Sequence, residues 1–315
     1  MDRSAFLATA AAAAVVSRPA RAAGTSVSVA YAGSLVTPME KSIGPAFAAT
    51  GHAYMGEGKG STVIANLIRE GLRTPDVFIS ADTAAIESLR GPAGHAAARW
   101  YATFASTRMQ IAYSAKSKYA ADFAAAARGV KAWYEVLQQP GVSVARSDPA
   151  QDPKGYRVLL VMQLAERFYK QPGLQAKLLG EDRNAEQIVP EEDALARLQT
   201  GEVDALWAYS TESIARKLDV VELPPEINLG EPKFAALYSG ATVTVGATTH
   251  RGALSVYALT IPVNARNPEG GAAFVAFVLG AQGKALLARA GLKPLAPVLS
   301  GDRTAVPRAL AALLV

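Results

Sequence analysis

The chain has 315 residues, 50% of them hydrophobic and 19% charged, a balance that excludes a disordered or fibrous protein and leaves room for a core in two lobes. Mean hydropathy is +0.13, mostly from alanine, and no run reaches the roughly 18 apolar residues that a membrane span needs. The net charge of +5 is scattered and forms no stripe, which argues against a nucleic-acid partner, and the absence of cysteine rules out disulfides, thiolate metal sites and a cysteine nucleophile.

Residues 1–22 have the composition of an export signal: Arg3, an apolar run from Ala5 to Val16, and a small-x-small ending at Ala20-Arg21-Ala22, with cleavage expected after Ala22. The run is too short to remain as a membrane anchor. Ser4 stands where a twin-arginine signal carries its second arginine, so general secretion and a degenerate twin-arginine route both stay open. With no cysteine to acylate, a free periplasmic protein is expected.

The rest of the chain alternates strand-like and helix-like pieces. Val27–Ala32 predicts a strand, Gly33-Ser34 a turn, and the stretch from Pro38 to Phe47 a helix. Gly56–Ser61 reads as a glycine-rich turn, Thr62–Gly71 as a helix with Val63, Ile64, Leu67 and Ile68 at helical spacing, and 75–80 as a short buried strand. Ala84–Leu89 looks helical. A second series begins with the strand Met109–Tyr113, continues through helices near Val130–Gln138 and Gly155–Tyr169, and ends in an amphipathic helix pair over Ala272–Arg289, with turns at Pro294 and Pro297. The alternation predicts doubly wound α/β lobes with mostly parallel sheets, whose ligands sit at the carboxyl ends of strands. Lobe one is expected to comprise residues 24–108 plus 265–315 and lobe two residues 109–264.

Gly33-Ser34 and Gly60-Ser61 each place a small residue and a hydroxyl at a helix start, where unpaired N–H groups suit an anion. Taken singly, each serine reads as a helix cap. The segment from Gly56 to Thr62 is not a phosphate-binding loop, because Lys59 precedes Gly60 where that motif puts lysine after the last glycine. His52, His95 and His250 are far apart and read as ordinary surface or loop residues.

Five motifs in order carry a family resemblance: Tyr31-Ala32-Gly33-Ser34-Leu35; Gly60-Ser61 followed by Pro75-Asp76-Val77; Ser147-Asp148-Pro149 with Asp152-Pro153 and Gly155-Tyr156-Arg157; Glu222-Leu223-Pro224 with Glu226-Ile227-Asn228-Leu229; and Leu259-Thr260-Ile261-Pro262 with Asn264-Ala265. Together, from about Val27 to Pro307, they resemble the molybdate/tungstate-binding proteins of ABC importers. The resemblance implies a two-lobed periplasmic-binding-protein fold of type II that closes on a tetrahedral oxyanion. It assigns hydrogen-bond donation to Ser34, Ser61 and Tyr209, and places Asp152 and Glu191 as two carboxylates that approach the metal of the oxyanion and expand its coordination. Such a pair would repel sulfate or phosphate, whose centres take no further oxygen ligand, while Mo(VI) or W(VI) accepts one. The implied partners are a membrane permease and its ATPase, with the binding protein a monomer and no resident cofactor.

Lys154 stands where many members of that family have cysteine, and either adds a cation beside the cleft or points to solvent. Arg157 follows the same loop and either orients Asp152 or offsets ligand charge or, more simply, is a helix-surface residue. On the residues alone Asp152 is a turn residue before Pro153 and Glu191 a first-turn helix acid, while Tyr209 is a half-buried strand aromatic with Trp207 beside it as an optical reporter of closure. A hydrolase using Ser34 or Ser61 lacks both a G-x-S-x-G elbow and a histidine in triad context. A sulfate, thiosulfate or phosphate carrier, and an oxyanion sensor without transport, remain the alternatives.

Overall fold

A computed structural model of the chain describes residues 26–91 and 96–314. The expected export segment, His95 and the side chain of Glu191 lie outside the described residues. The strands are β1 (Ser26–Ala32), β2 (Ala53–Lys59), β3 (Val77–Ser80), β4 (Trp100–Ser106), β5 (Met109–Tyr113) and β6 (Val144–Ala145). They continue with β7 (Ala205–Tyr209), β8 (Asp219–Glu222), β9 (Thr242–Val245), β10 (Thr248–Arg251), β11 (Val256–Thr260) and β12 (Lys293–Gly301).

β1 shows how the first sheet acquires two covered faces. Val27, Val29 and Tyr31 point to one side, where Phe47 of helix Gly44–Ala48 and Phe274 of helix Pro268–Leu279 pack on them. Ala30 points to the other, against Ile64 and Ile68 of helix Ser61–Arg69 and Ile86 of helix Ala84–Glu87. The six-stranded sheet runs β12-β4-β11-β3-β1-β2, and a four-stranded sheet runs β6-β7-β5-β8. In the second sheet Ile111, Trp207 and Val221 face the buried helix Pro153–Tyr169, and Ala112, Leu206 and Ala208 face helix Glu191–Thr200. This is the two-lobed α/β architecture that the strand–helix alternation predicts.

Four expectations change. The sheets are mixed: β1 is parallel to β2 and β3, but β11 is antiparallel to both β3 and β4, and β5 to both β7 and β8. β4 carries the chain out of the first sheet and β11 brings it back beside β4, so the two run in opposite directions. β11 also lies within the range 109–264 expected for lobe two, yet it pairs wholly within the first sheet, where Tyr257 and Leu259 are buried. The first sheet therefore reclaims the chain by Val256. Finally, Gly56 and Gly58 belong to β2, not to a turn. A Cβ on Gly56 would run into the Glu40 carboxylate and the Tyr54 and Tyr31 hydroxyls, and one on Gly58 into Val36 and the Tyr31 ring, so glycine lets β2 pass the crowded side chains of Tyr31, Val36 and Glu40. Pro294 and Pro297 likewise sit in β12, an edge strand whose register shifts between Pro294 and Val298, which is where a sheet tolerates proline.

Phe274 is fully buried with its ring edge-on to Phe47 at 4.9 Å. Phe274→Ala should lower unfolding free energy by about 3–5 kcal/mol, read from urea denaturation, because the packed helix cannot collapse into the vacated volume.

Candidate functional site

The carboxyl ends of the strands converge between the lobes. β1 leads into Gly33-Ser34 on a short 3-10 turn, and β2 leads into Gly60, the N-cap of helix Ser61–Arg69. β3 leads to Ala81-Asp82, and β7 ends in Tyr209. After β6 the chain reaches Asp152, the N-cap of helix Pro153–Tyr169, whose Oδ1 accepts from the Lys154 N–H at 2.7 Å. Proline at the first helical position and an aspartate cap before it start this helix for the reasons any helix starts there. Ser34, Ser61, Asp152 and Tyr209 are all buried.

One run of contacts joins three of these four residues. Ser61 Oγ accepts from the Ala81 N–H at 3.0 Å, and the Ala81 carbonyl accepts from Arg157 Nη1 at 2.6 Å. The same Arg157 nitrogen donates to the Tyr209 hydroxyl at 2.6 Å. The Tyr209 ring meets Tyr257 edge-on at 6.4 Å, and the Tyr257 hydroxyl shares a 2.9 Å hydrogen bond with Ser34 Oγ. Asp152 faces the loop of Ser61: a Cβ on Gly60 would lie 3.4 Å from Asp152 Oδ2 and 2.8 Å from the Gln151 carbonyl. Asp152 and Gly60 also line a cavity of about 290 Å³ with Lys59, Ser147 and Pro190. Pro190 is the N-cap of helix Glu191–Thr200, so the backbone of Glu191 begins at that cavity.

Charges here are buried and paired. Lys154 Nζ binds Glu212 Oε1 at 2.7 Å with each side chain 1% exposed, and Glu212 Oε2 accepts from the Tyr209 N–H at 2.7 Å. Lys154 therefore neither points to solvent nor stands as an uncompensated cation. Arg157 is buried as well, which corrects its reading as a helix-surface residue. Burial by itself disfavours its charge, but the facing Tyr209, Tyr156 and Asp82 outweigh that and hold the guanidinium more firmly protonated than usual. Burial drives the Tyr209 and Tyr156 phenols well above their ordinary values, with Arg157 opposing in both and Asp82 reinforcing Tyr156. Both phenols thus keep their protons.

Sequence reading missed Tyr257, Asp82 and the contact that Tyr156 makes with Asp82. The Tyr156 hydroxyl donates to Asp82 Oδ2 across the lobes, while Asp82 Oδ1 accepts from the Ala85 N–H at 3.0 Å. His250 of β10, expected as an ordinary surface or loop residue, is half-buried and stacks on the Tyr156 ring at 3.8 Å. Only the Gly-Tyr-Arg run after Asp152 signalled any of this in the sequence. Trp207 is fully buried against Trp133 at 5.8 Å.

Two α/β lobes meeting around buried hydroxyls and helix starts define a solute-binding protein. The chain belongs to the family described as bacterial extracellular solute-binding protein, which residues 27–293 match. It is similar to an uncharacterized solute-binding protein of Petrotoga mobilis, 36% identical over 278 residues that cover 85% of this chain and 84% of that one. The molybdate/tungstate-binding protein WtpA of Thermococcus kodakarensis is 30% identical over 288 residues, 82% of this chain and 79% of that one. Among solved structures, the periplasmic molybdate-binding protein of Azotobacter vinelandii superposes with a TM-score of 0.58 at 20% identity, over 84% of this chain and 98% of that one. This last likeness is one of fold.

Two outcomes follow from the contacts. Gly60→Ala should hold the lobes apart, because its Cβ meets the Gln151 carbonyl; small-angle scattering should give a larger radius of gyration with little change in melting temperature. His250 is held below its ordinary 6.5, by burial first, so the unfolded chain takes up the proton more readily than the folded one. Its contribution to stability is present above that value and lost as pH falls through the lower folded pKa. His250→Phe keeps the stacking and should lose less melting temperature than wild type between about pH 7 and about pH 5.

Proposed function

We propose that the chain captures molybdate or tungstate in the periplasm and delivers it to an ABC importer. The observation that carries this is the polarity of the buried hydroxyls. Ser61 Oγ accepts from the Ala81 N–H and the Tyr209 hydroxyl accepts from Arg157, so each retains its own proton for donation toward the space between the lobes. Donors held this way suit an oxyanion, and helix starts beside them add unpaired N–H groups.

Asp152 gives the selectivity. One of its oxygens caps helix Pro153–Tyr169 while the other faces the Gly60 loop. A carboxylate in that position repels sulfate or phosphate but acts as an added oxygen ligand to Mo(VI) or W(VI). Glu191 is proposed as the second carboxylate, because its helix starts at Pro190, which lines the cavity with Asp152. Ser34, Ser61 and Tyr209 are the donors, and closure replaces the hydration shell of the anion by fixed dipoles. The names of the relatives support the choice of cargo. Residues 1–22 would direct export, the working form would be a monomer, and a permease with its ATPase would receive the ligand from the closed protein.

Isothermal titration of the mature protein with molybdate, tungstate, sulfate and phosphate tests the reading. Heat of one-to-one binding is expected from the first two alone. Asp152→Ala should weaken molybdate by roughly tenfold to a hundredfold and leave sulfate unchanged or stronger; tight sulfate or phosphate binding by the wild type would overturn the metal-centred selectivity.

A further inference from the structure

Arg157 is placed where no solvent-facing arginine would be. It lies in the first turns of helix Pro153–Tyr169, is buried, and spends the two hydrogens of a single nitrogen on two lobes. One hydrogen goes to the Tyr209 hydroxyl at the end of β7 in the second lobe, and the other to the carbonyl of Ala81 beyond β3 in the first. Ala81 is also the residue whose N–H holds Ser61 Oγ. The planar guanidinium has no acceptor atom, so the Tyr209 oxygen must accept from it and turn its own proton elsewhere. The neighbouring Tyr156 makes a parallel bridge to Asp82, so this helix start grips the first lobe at two adjacent residues.

We infer that Arg157 is the positioning residue of the oxyanion site: it sets the Tyr209 hydroxyl as a donor and does so only when the lobes are closed, because the Ala81 carbonyl fixes the same nitrogen. The inference rests on the oxyanion-binding reading. It makes ligand donation and lobe closure a single arrangement. Tyr209 is aimed when Arg157 reaches Ala81, and Ser61 is aimed through the other end of that residue. Lysine has hydrogens enough for both acceptors, but its side chain is one atom shorter, so its ammonium stops short of the position Nη1 occupies between them.

The test is a double-mutant cycle on molybdate affinity with Arg157→Lys and Tyr209→Phe, with melting curves to confirm folding. Arg157→Lys should weaken binding roughly tenfold to a hundredfold in the wild-type background. In the Tyr209→Phe background, where no hydroxyl remains to be oriented, its cost should shrink by about fivefold or more. A structural role alone would cost the same in both backgrounds, and equal costs overturn the proposal. Small-angle scattering on ligand-free protein is the second arm. Arg157→Met should have a larger radius of gyration than wild type, and equal radii overturn the link to closure. If wild type ignores all four oxyanions, the molybdate reading fails by itself and the scattering arm still decides the link to closure.

Discussion

The site hangs on one residue held from both ends. The Ala81 N–H is committed to Ser61 and the Ala81 carbonyl to Arg157, so a hydroxyl of the first lobe and a guanidinium of the second are set by one short piece of backbone. Once the lobes are together, the proposed donors need no further reorganisation around an anion, because each is pinned by another group. It also explains why glycine precedes Ser61: the Gln151 carbonyl comes too close for any side chain there. Local backbone chemistry, not a dedicated ligand loop, brings the two lobes to contact distance.

Placing charge around the proposed anion site invites a penalty that the structure meets by pairing. A buried lysine or glutamate alone is expensive, and a buried pair is tolerable when its remaining hydrogen bonds are filled. Lys154 and Glu212 meet that condition, since Glu212 also receives the Tyr209 N–H. The pair ties the start of helix Pro153–Tyr169 to the end of β7, so the segments bearing Asp152 and Tyr209 move as one. Removing one partner would strand the other in a dry site. Arg157 is in a different position, with neutral acceptors at hydrogen-bond distance and the Asp82 carboxylate one residue further on, which leaves positive potential near the site.

What the sequence disclosed is what local chemistry encodes. Ser34 and Ser61 follow glycines at strand ends, Asp152 precedes a proline, and Tyr209 closes an apolar strand, so their local positions could be read from their neighbours while their proposed roles came from the family resemblance. Arg157 could not, because its partners Ala81 and Tyr209 lie 76 and 52 residues away in the chain. Tyr257 was hidden for the same reason, 223 residues from Ser34. The glycines of β2 misled because a glycine cluster usually marks a turn, whereas here the requirement comes from the side chains of Tyr31, Val36 and Glu40 crowding the strand. The antiparallel pairings escaped because periodicity reports a strand's faces but not its direction.

The outermost strand has a further consequence. β12 borders the six-stranded sheet and carries Pro294 and Pro297, neither of which has an N–H to offer. With its ladder also slipped between Pro294 and Val298, this rim gives an incoming strand an incomplete and misaligned template. Sheet growth from one molecule to the next is therefore discouraged at that border.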